Sequence, residues 1–149
     1  LIGQGVTGVY AADSTDTVKR AMVSQTLEAI GEVFWLDSEG DLDDITAISG
    51  SGPAYFFLFM ESLSAAGVAM GFSEEVASKL AIQTALGAAR LAEQSPETLA
   101  QLRRNVTSPG GTTEQAIKTF IEGGLPALVD SAANASKQRS IEISKELAS

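Results

Sequence analysis

The chain opens with "LIGQGVTGVY" (residues 1–10), in which Gly3-Gln4-Gly5-Val6-Thr7-Gly8 has the G-x-G-x-x-G spacing of a dinucleotide-binding turn. The fold class hangs on whether that pattern begins a βαβ unit. A working fingerprint follows a strand, opens a helix within itself, and is answered by an acidic residue about 20 positions on, at the end of a second strand. Here only Leu1 and Ile2 precede Gly3, and the acidic residue at that distance from Gly8 is Glu28, inside a helical pattern. The context therefore predicts no βαβ unit, but a flexible glycine-rich entry to a first helix.

Outward from there the pattern is helical almost throughout. Asp13-Ser14 supplies an N-cap for "TDTVKRAMVSQTLEAIG" (residues 15–31), where Val18, Met22, Leu27 and Ile30 keep a roughly helical spacing and Gly31 closes the end. "EVFWL" (residues 32–36) is the one candidate strand, and no partner for it is evident. "DSEGDLDD" (residues 37–44) reads as an acidic turn and a solvated helix start; it lacks the alternation and closing Glu of a calcium loop. Pro53 suits the first turn of a helix that runs to Met70 and ends at Gly71. Ser73 caps "EEVASKLAIQTALGAARLAEQ", with Glu74 and Glu75 at the favourable end of its dipole. Ser95-Pro96-Glu97 opens a shorter helix to Arg104, "TTEQAIKTFIEGG" is a helix stopped by two glycines, and a long last helix has Pro126 in its first turn. The expectation is an all-α bundle of six or seven helices forming a single domain over residues 1–149.

Composition excludes several functions. The chain has neither cysteine nor histidine, so thiolate or zinc sites and a Ser-His-Asp triad cannot be assembled from it. Ten basic against nineteen acidic residues give a net charge of −9, which disfavours nucleic acid. No apolar run is long enough for a bilayer and no signal peptide is expected; with the missing cysteines this fits a cytoplasmic protein. The start inside an apolar, glycine-containing stretch without Met suggests part of a longer chain. Gly67 and Gly87 lie inside helices, where glycine costs about 1 kcal/mol relative to alanine. Close backbone packing is the expected reason, in a tight monomeric bundle or across a dimer interface; the residues leave both open.

The best site candidate is "NVTSPGGTTEQA" (residues 105–116). Thr112 and Gln115 have capping-box spacing, and Gly110 and Gly111 let the backbone approach a ligand. The free N–H groups of such a helix start, with the dipole, suit a small anion such as a substrate carboxylate, and Thr113 places a hydroxyl beside it. The same residues also describe an ordinary capped helix, which on physics alone outweighs the site. "SGSGPAY" (residues 49–55) is a second helix entry of this type. Glu61, Lys79 and Arg90 read as solvated or ion-paired helix residues.

Together, "DITAISGSGPAYFF" and "LRRNVTSPGGTTEQAI" resemble the pyrroline-5-carboxylate reductases, through S-P-G-G-x-T with Asn-Val before it and Ala-Ile after it; "AAGVAMGFSEEVASKLA" supports the likeness, which covers essentially the whole chain. The resemblance implies the C-terminal helical half of such an enzyme: an interlocked dimerisation domain of the 6-phosphogluconate dehydrogenase C-terminal-like type. It further implies that NADP or NAD is bound by an N-terminal Rossmann half absent here, a homodimer that some members extend to rings, and a small-molecule substrate. Carried over to this sequence, Asn105, Val106, Ser108, Gly110, Gly111, Thr112 and Thr113 form the substrate loop. Backbone N–H groups of Gly111, Thr112 and Thr113 would hold the carboxylate, and the Thr113 hydroxyl the ring nitrogen, as the catalytic contact. Residues 49–53 would pack near the site or the dimer seam. The implied reaction is hydride transfer to the C=N carbon of 1-pyrroline-5-carboxylate, giving L-proline, with this chain alone inactive. The alternatives are a hydroxyacid dehydrogenase relative, for which Lys79 lacks the surrounding motif, and an autonomous helical dimerisation module without catalysis.

Overall fold

A computed structural model describes residues 3–12 and 16–148. Its elements are β1 (Gly5–Val9), α1 (Thr17–Leu27), β2 (Gly31–Trp35), α2 (Asp41–Ile45), a π-helical turn (Thr46–Gly50), α3 (Gly52–Ala69), α4 (Glu74–Gln94), α5 (Leu99–Asn105), α6 (Thr112–Glu122) and α7 (Leu125–Ala148). The fold is all-α apart from one two-stranded parallel sheet. The chain divides into two compact units, Leu1–Pro53 with Asp130–Ser149, and Ala54–Val129.

The first unit corrects the reading of the opening residues. The glycine-rich stretch is not a flexible entry but β1, and it is the partner that β2 lacked in the sequence: the strands run parallel, with Gly5 opposite Gly31 and Val9 opposite Trp35. Parallel strands need a crossover, and α1 supplies it, so a βαβ unit does form. Gly31, at φ +153°, begins β2 instead of closing α1, because a Cβ there would fall 1.9 Å from the Gly5 carbonyl oxygen. Gly8 has a similar reason, since a Cβ would meet Ile45 Cγ2 of α2 at 2.7 Å. The expected cap at Asp13-Ser14 lies outside the described residues; α1 is capped by Asp16, whose carboxylate accepts from the Val18 N–H at 3.0 Å. Across the sheet, Trp35 Nε1 donates to Ser24 Oγ at 2.8 Å and the Arg20 guanidinium lies 5.0 Å from the Trp35 ring centroid.

Three polar ties hold α7 to the segment before α3. Ser136 pairs with Ser51 at 2.8 Å, Lys137 with Asp44 at 2.5 Å, and Ser140 donates to Asp43 at 2.6 Å. The bond to Asp44 raises the Lys137 pKa. Ser51 follows the π-helical turn, an irregularity that was not expected from "ITAIS".

In the second unit the helix starts and stops agree closely with the sequence pattern. Ser73 accepts from the Val76 N–H at 3.3 Å, Gly71 ends α3 at φ +105°, and α6 and α7 begin where expected. The shorter helix starts later than Ser95-Pro96-Glu97: Thr98 is its N-cap, accepting from the Gln101 N–H at 3.2 Å. Helices α3 and α4 touch through small residues. A Cβ on Gly67 would lie 3.1 Å from Ala77 Cβ, and Ser64 Oγ pairs with Ser78 Oγ at 3.0 Å. The Phe59 and Phe120 rings pack at 5.9 Å, joining α3 to α6.

The buried apolar core is small. Ala47, Ala77 and Ala81 are its only fully buried members among the described residues, while Phe56, Phe57, Leu58 and Met70 on and beyond α3 are 64–79% exposed. The total accessible surface is 11,312 Å². A compact monomer of this mass exposes about 7,200 Å², and even two separate bodies of half the mass about 8,700 Å². Large apolar side chains, Phe56, Phe57, Leu58 and Met70 among them, contribute to this excess.

Candidate substrate loop

Helix α5 and the first turn of α6 hold the loop between them. At its start, Asn105 is fully engaged. Its amide nitrogen donates to Glu97 Oε2 at 2.5 Å, its carbonyl oxygen accepts from Gln101 Nε2 at 2.7 Å, and Gln101 Oε1 accepts in turn from Arg104 at 2.6 and 3.1 Å. Asn105 therefore works as an anchor of the loop. Val106 follows and is 61% exposed.

Ser108-Pro109-Gly110-Gly111 then makes a tight turn. The Gly111 N–H donates to the Ser108 carbonyl at 3.0 Å and Gly110 has φ +71°. Pro second and a positive-φ glycine third are the requirements of a type II turn. Gly111 has a separate reason to lack a side chain, since its Cβ would sit 2.9 Å from the Ser108 carbonyl oxygen.

The helix start differs from the Thr112 and Gln115 capping box. Gly111 is the N-cap and makes no side-chain cap; Thr112 is already the first helical residue. The reach-back comes from Glu114, whose carboxylate accepts from the Gly110 N–H at 2.8 Å. Glu114 sits one position too early for the box that the sequence suggested, because the cap itself lies one residue earlier.

Counting donors shows what remains. The N–H groups of Gly110 and Gly111 are both used inside the loop, so Gly111 has none to offer a carboxylate. No hydrogen bond is made by the N–H groups of Thr112, Thr113 and Glu114 or by the Thr112 and Thr113 hydroxyls among the described residues. Two adjacent N–H groups at the positive end of an eleven-residue helix, with a hydroxyl beside them, suit one small carboxylate that also carries a hydrogen-bonding atom nearby. Apart from Gly111, the expected loop residues Asn105, Val106, Ser108, Gly110, Thr112 and Thr113 are exposed.

A separate concavity lies elsewhere. A groove of about 730 Å³ between α3 and α4 is lined by Phe57, Met60, Val68 and Ile82, with Glu61 and Glu74 also present. Its hydroxyls, Ser64 and Ser78, are already paired with each other. It is a packing groove, with no leftover donors converging on a ligand. Lys79, the alternative acid/base, is exposed on α4 and makes no described ion pair. A phosphate cradle is not formed either: the glycine-rich motif is strand, and α1 begins only at Thr17. The glycine-rich motif therefore does not form a dinucleotide's phosphate site among the described residues. No helix in them is long and apolar enough to cross a membrane.

Known proteins align with this arrangement over nearly its whole length. The family described as "Pyrroline-5-carboxylate reductase dimerisation" matches residues 39–143. The pyrroline-5-carboxylate reductase of Pseudomonas aeruginosa is 50% identical over 147 residues, 99% of this chain and 54% of the relative. A solved pyrroline-5-carboxylate reductase from Coxiella burnetii superposes with a TM-score of 0.91 at 43% identity, over 95% of this chain and 52% of that one. The Plasmodium falciparum pyrroline carboxylate reductase, solved with NADP bound, gives 0.84 at 32% identity, over 93% and 53%. The chain thus spans about half the length of these relatives. With this similarity carried across both units, the chain belongs to the pyrroline-5-carboxylate reductase family, and residues 39–143 are of its dimerisation type.

Proposed function

We propose that this chain is the C-terminal helical domain of an NAD(P)H-dependent pyrroline-5-carboxylate reductase of proline biosynthesis. In this reading it supplies the homodimer interface and the substrate loop of a cytoplasmic enzyme. The observation that carries the reading is the pair of unused N–H groups at Thr112 and Thr113 beside the free Thr113 hydroxyl, directly after the Ser108 to Gly111 turn.

The chain's part in the reaction is binding and orientation. The carboxylate of 1-pyrroline-5-carboxylate would lie on the Thr112 and Thr113 N–H groups, and the ring nitrogen would face the Thr113 hydroxyl. Two such anchors fix which face of the ring is presented, and positioning of this kind contributes a large part of a barrier reduction. A protonated C=N bond is already electrophilic, so a chain without histidine is adequate to the task. The chemistry that NADPH or NADH supplies when bound is a hydride for the C=N carbon; its binding residues belong to the part of the enzyme outside this chain.

In the full-length enzyme, Thr113→Ala is expected to lower kcat/KM for 1-pyrroline-5-carboxylate about 100-fold, by analogy with the loss of one aimed donor. Unchanged kinetics would remove Thr113 from the site. Purified alone, the chain is expected to show no NADPH-dependent turnover of that substrate, and measurable turnover would refute the division of labour between the two halves.

A further inference from the structure

Helix α5 has only seven residues, a length at which an isolated helix is marginal in water. Glu97, Gln101 and Asn105 recur along it at four-residue steps, with Arg104 beside them. Their side chains form one line of hydrogen bonds. The Arg104 guanidinium donates to Gln101 Oε1 at 2.6 and 3.1 Å, Gln101 Nε2 donates to Asn105 Oδ1 at 2.7 Å, and Asn105 Nδ2 donates to Glu97 Oε2 at 2.5 Å.

The two ends fix the direction of this line. A guanidinium can only donate and a carboxylate can only accept, so each amide between them has one orientation. Bonds aligned head to tail polarise and strengthen one another. Single polar contacts at exposed positions contribute little, but these share ordered side chains, and the last of them joins residues eight positions apart. Glu97 stands one residue before the N-cap Thr98, and Asn105 is the last residue of α5. That bond therefore clasps the helix from end to end.

The placement of Asn105 is passed on along the backbone. The Thr107 N–H donates to the Arg104 carbonyl at 3.0 Å, and the Thr107 hydroxyl to the Arg103 carbonyl at 2.6 Å. The turn from Ser108 to Gly111 follows at once, and Gly111 is the N-cap of α6.

We propose that Glu97 is a positioning residue of the substrate loop: through the Asn105 side chain it sets the end of α5, and so the place of the Thr112 and Thr113 donors. The inference rests on the substrate reading above. A loop released from Glu97 spends a smaller fraction of its time in the competent arrangement, and apparent affinity falls by that fraction. Saturating substrate selects the arrangement again, so the loss falls on KM and spares kcat.

Variants of the full-length enzyme test this, by steady-state kinetics with 1-pyrroline-5-carboxylate and by hydrogen–deuterium exchange over residues 105–113. Glu97→Ala is expected to raise KM about tenfold with kcat within about twofold, and to speed exchange in the loop. Glu97→Gln still offers Asn105 an oxygen and should stay within about threefold of the unaltered KM. Asn105→Asp sets a second carboxylate against Glu97 and should raise KM about 30-fold. Adding Glu97→Gln to Asn105→Asp restores a donor and acceptor, with the bond reversed, and should bring KM back to within about fivefold. An unchanged KM in Glu97→Ala, or a double variant no better than Asn105→Asp, overturns the proposal. Should Asn105→Asp not fold, a double variant that folds supports the pairing and one that does not refutes it. Thr113→Ala, assayed alongside, separates the two readings: if its kinetics are unaltered, the substrate reading is what fails. Glu97 is then judged by exchange alone, which must rise in Glu97→Ala and return in Glu97→Gln; unchanged exchange refutes its role.

Discussion

The α3 and α4 pair and the loop of residues 105–113 are both incomplete, in opposite ways. On α3 and α4 the serine hydroxyls are accounted for, since Ser62 donates back to the Leu58 carbonyl and Ser64 and Ser78 pair with each other, whereas the Tyr55 hydroxyl is buried without a partner among the described residues. What is left over on their surface is largely carbon, with Phe56 and Phe57 70% and 65% exposed. In the loop the leftovers are donors, among them the Thr112 and Thr113 N–H groups and the Thr113 hydroxyl, beside a turn closed by the Gly110 and Gly111 N–H groups. Uncovered apolar area calls for a large complementary surface, because that stabilisation grows with the area removed from water. A few aimed donors call for a small, polar ligand, because hydrogen bonds reward geometry more than area. The same short chain thus carries two unlike surfaces, one apolar and one rich in unused donors.

The sharpest way to break this contrast is Phe56→Glu on α3. Within the chain alone it exchanges one exposed side chain for another. In a dimer that covers α3 it buries an unpaired carboxylate, which costs several kcal/mol. The expected outcome is a dimer dissociation constant raised about a thousandfold or more, read by sedimentation. A fully dimeric variant would mean that this part of α3 stays in water. Thr113→Ala comes next, and its 100-fold effect on kcat/KM should leave the dissociation constant unmoved. A variant that changed both would show that the two surfaces are not independent.

The smallest effect separates holding the loop from touching the ligand. Glu114→Ala removes the acceptor for the Gly110 N–H but no donor of the candidate site. A charge-assisted hydrogen bond at an exposed position is worth about 1–1.5 kcal/mol, so KM should rise about tenfold while kcat changes little. Glu114→Gln keeps an acceptor and is expected to restore KM to within about twofold. Equal damage from both variants would assign the effect to charge at the helix start and not to the bond.

Much of the fold is legible in sequence because it is local. The caps at Ser73 and Gly71, the starts of α6 and α7, and the glycine turn at Ser108 to Gly111 depend on backbone preferences and donors a few residues away. The candidate loop is legible to the same depth: the motif marks residues 105–113, and Thr113 stands at their edge with unused donors. The share of each residue in it is not legible. Asn105 is consumed by Glu97 and Gln101, and Gly111 by Ser108, and those assignments need coordinates.

Residues 1–36 show where local reading stops. A glycine-rich stretch and a short apolar run, each ambiguous alone, become strands by pairing with each other across α1, and the free energy of that pairing lies in a partner more than twenty residues distant. The two mid-helix glycines differ in the same respect. Sequence marks Gly67 and Gly87 alike as costly, and only the positions of neighbouring atoms show that one is spent on Ala77 while the other faces open space. By itself, then, the sequence determined the helices, the cap at Ser73 and the turn that carries the family motif, since these rest on short-range geometry. The strand pairing, the accounting of donors around Thr113 and the open space at Gly87 were decided by tertiary structure, because each depends on which distant atoms arrive and which do not.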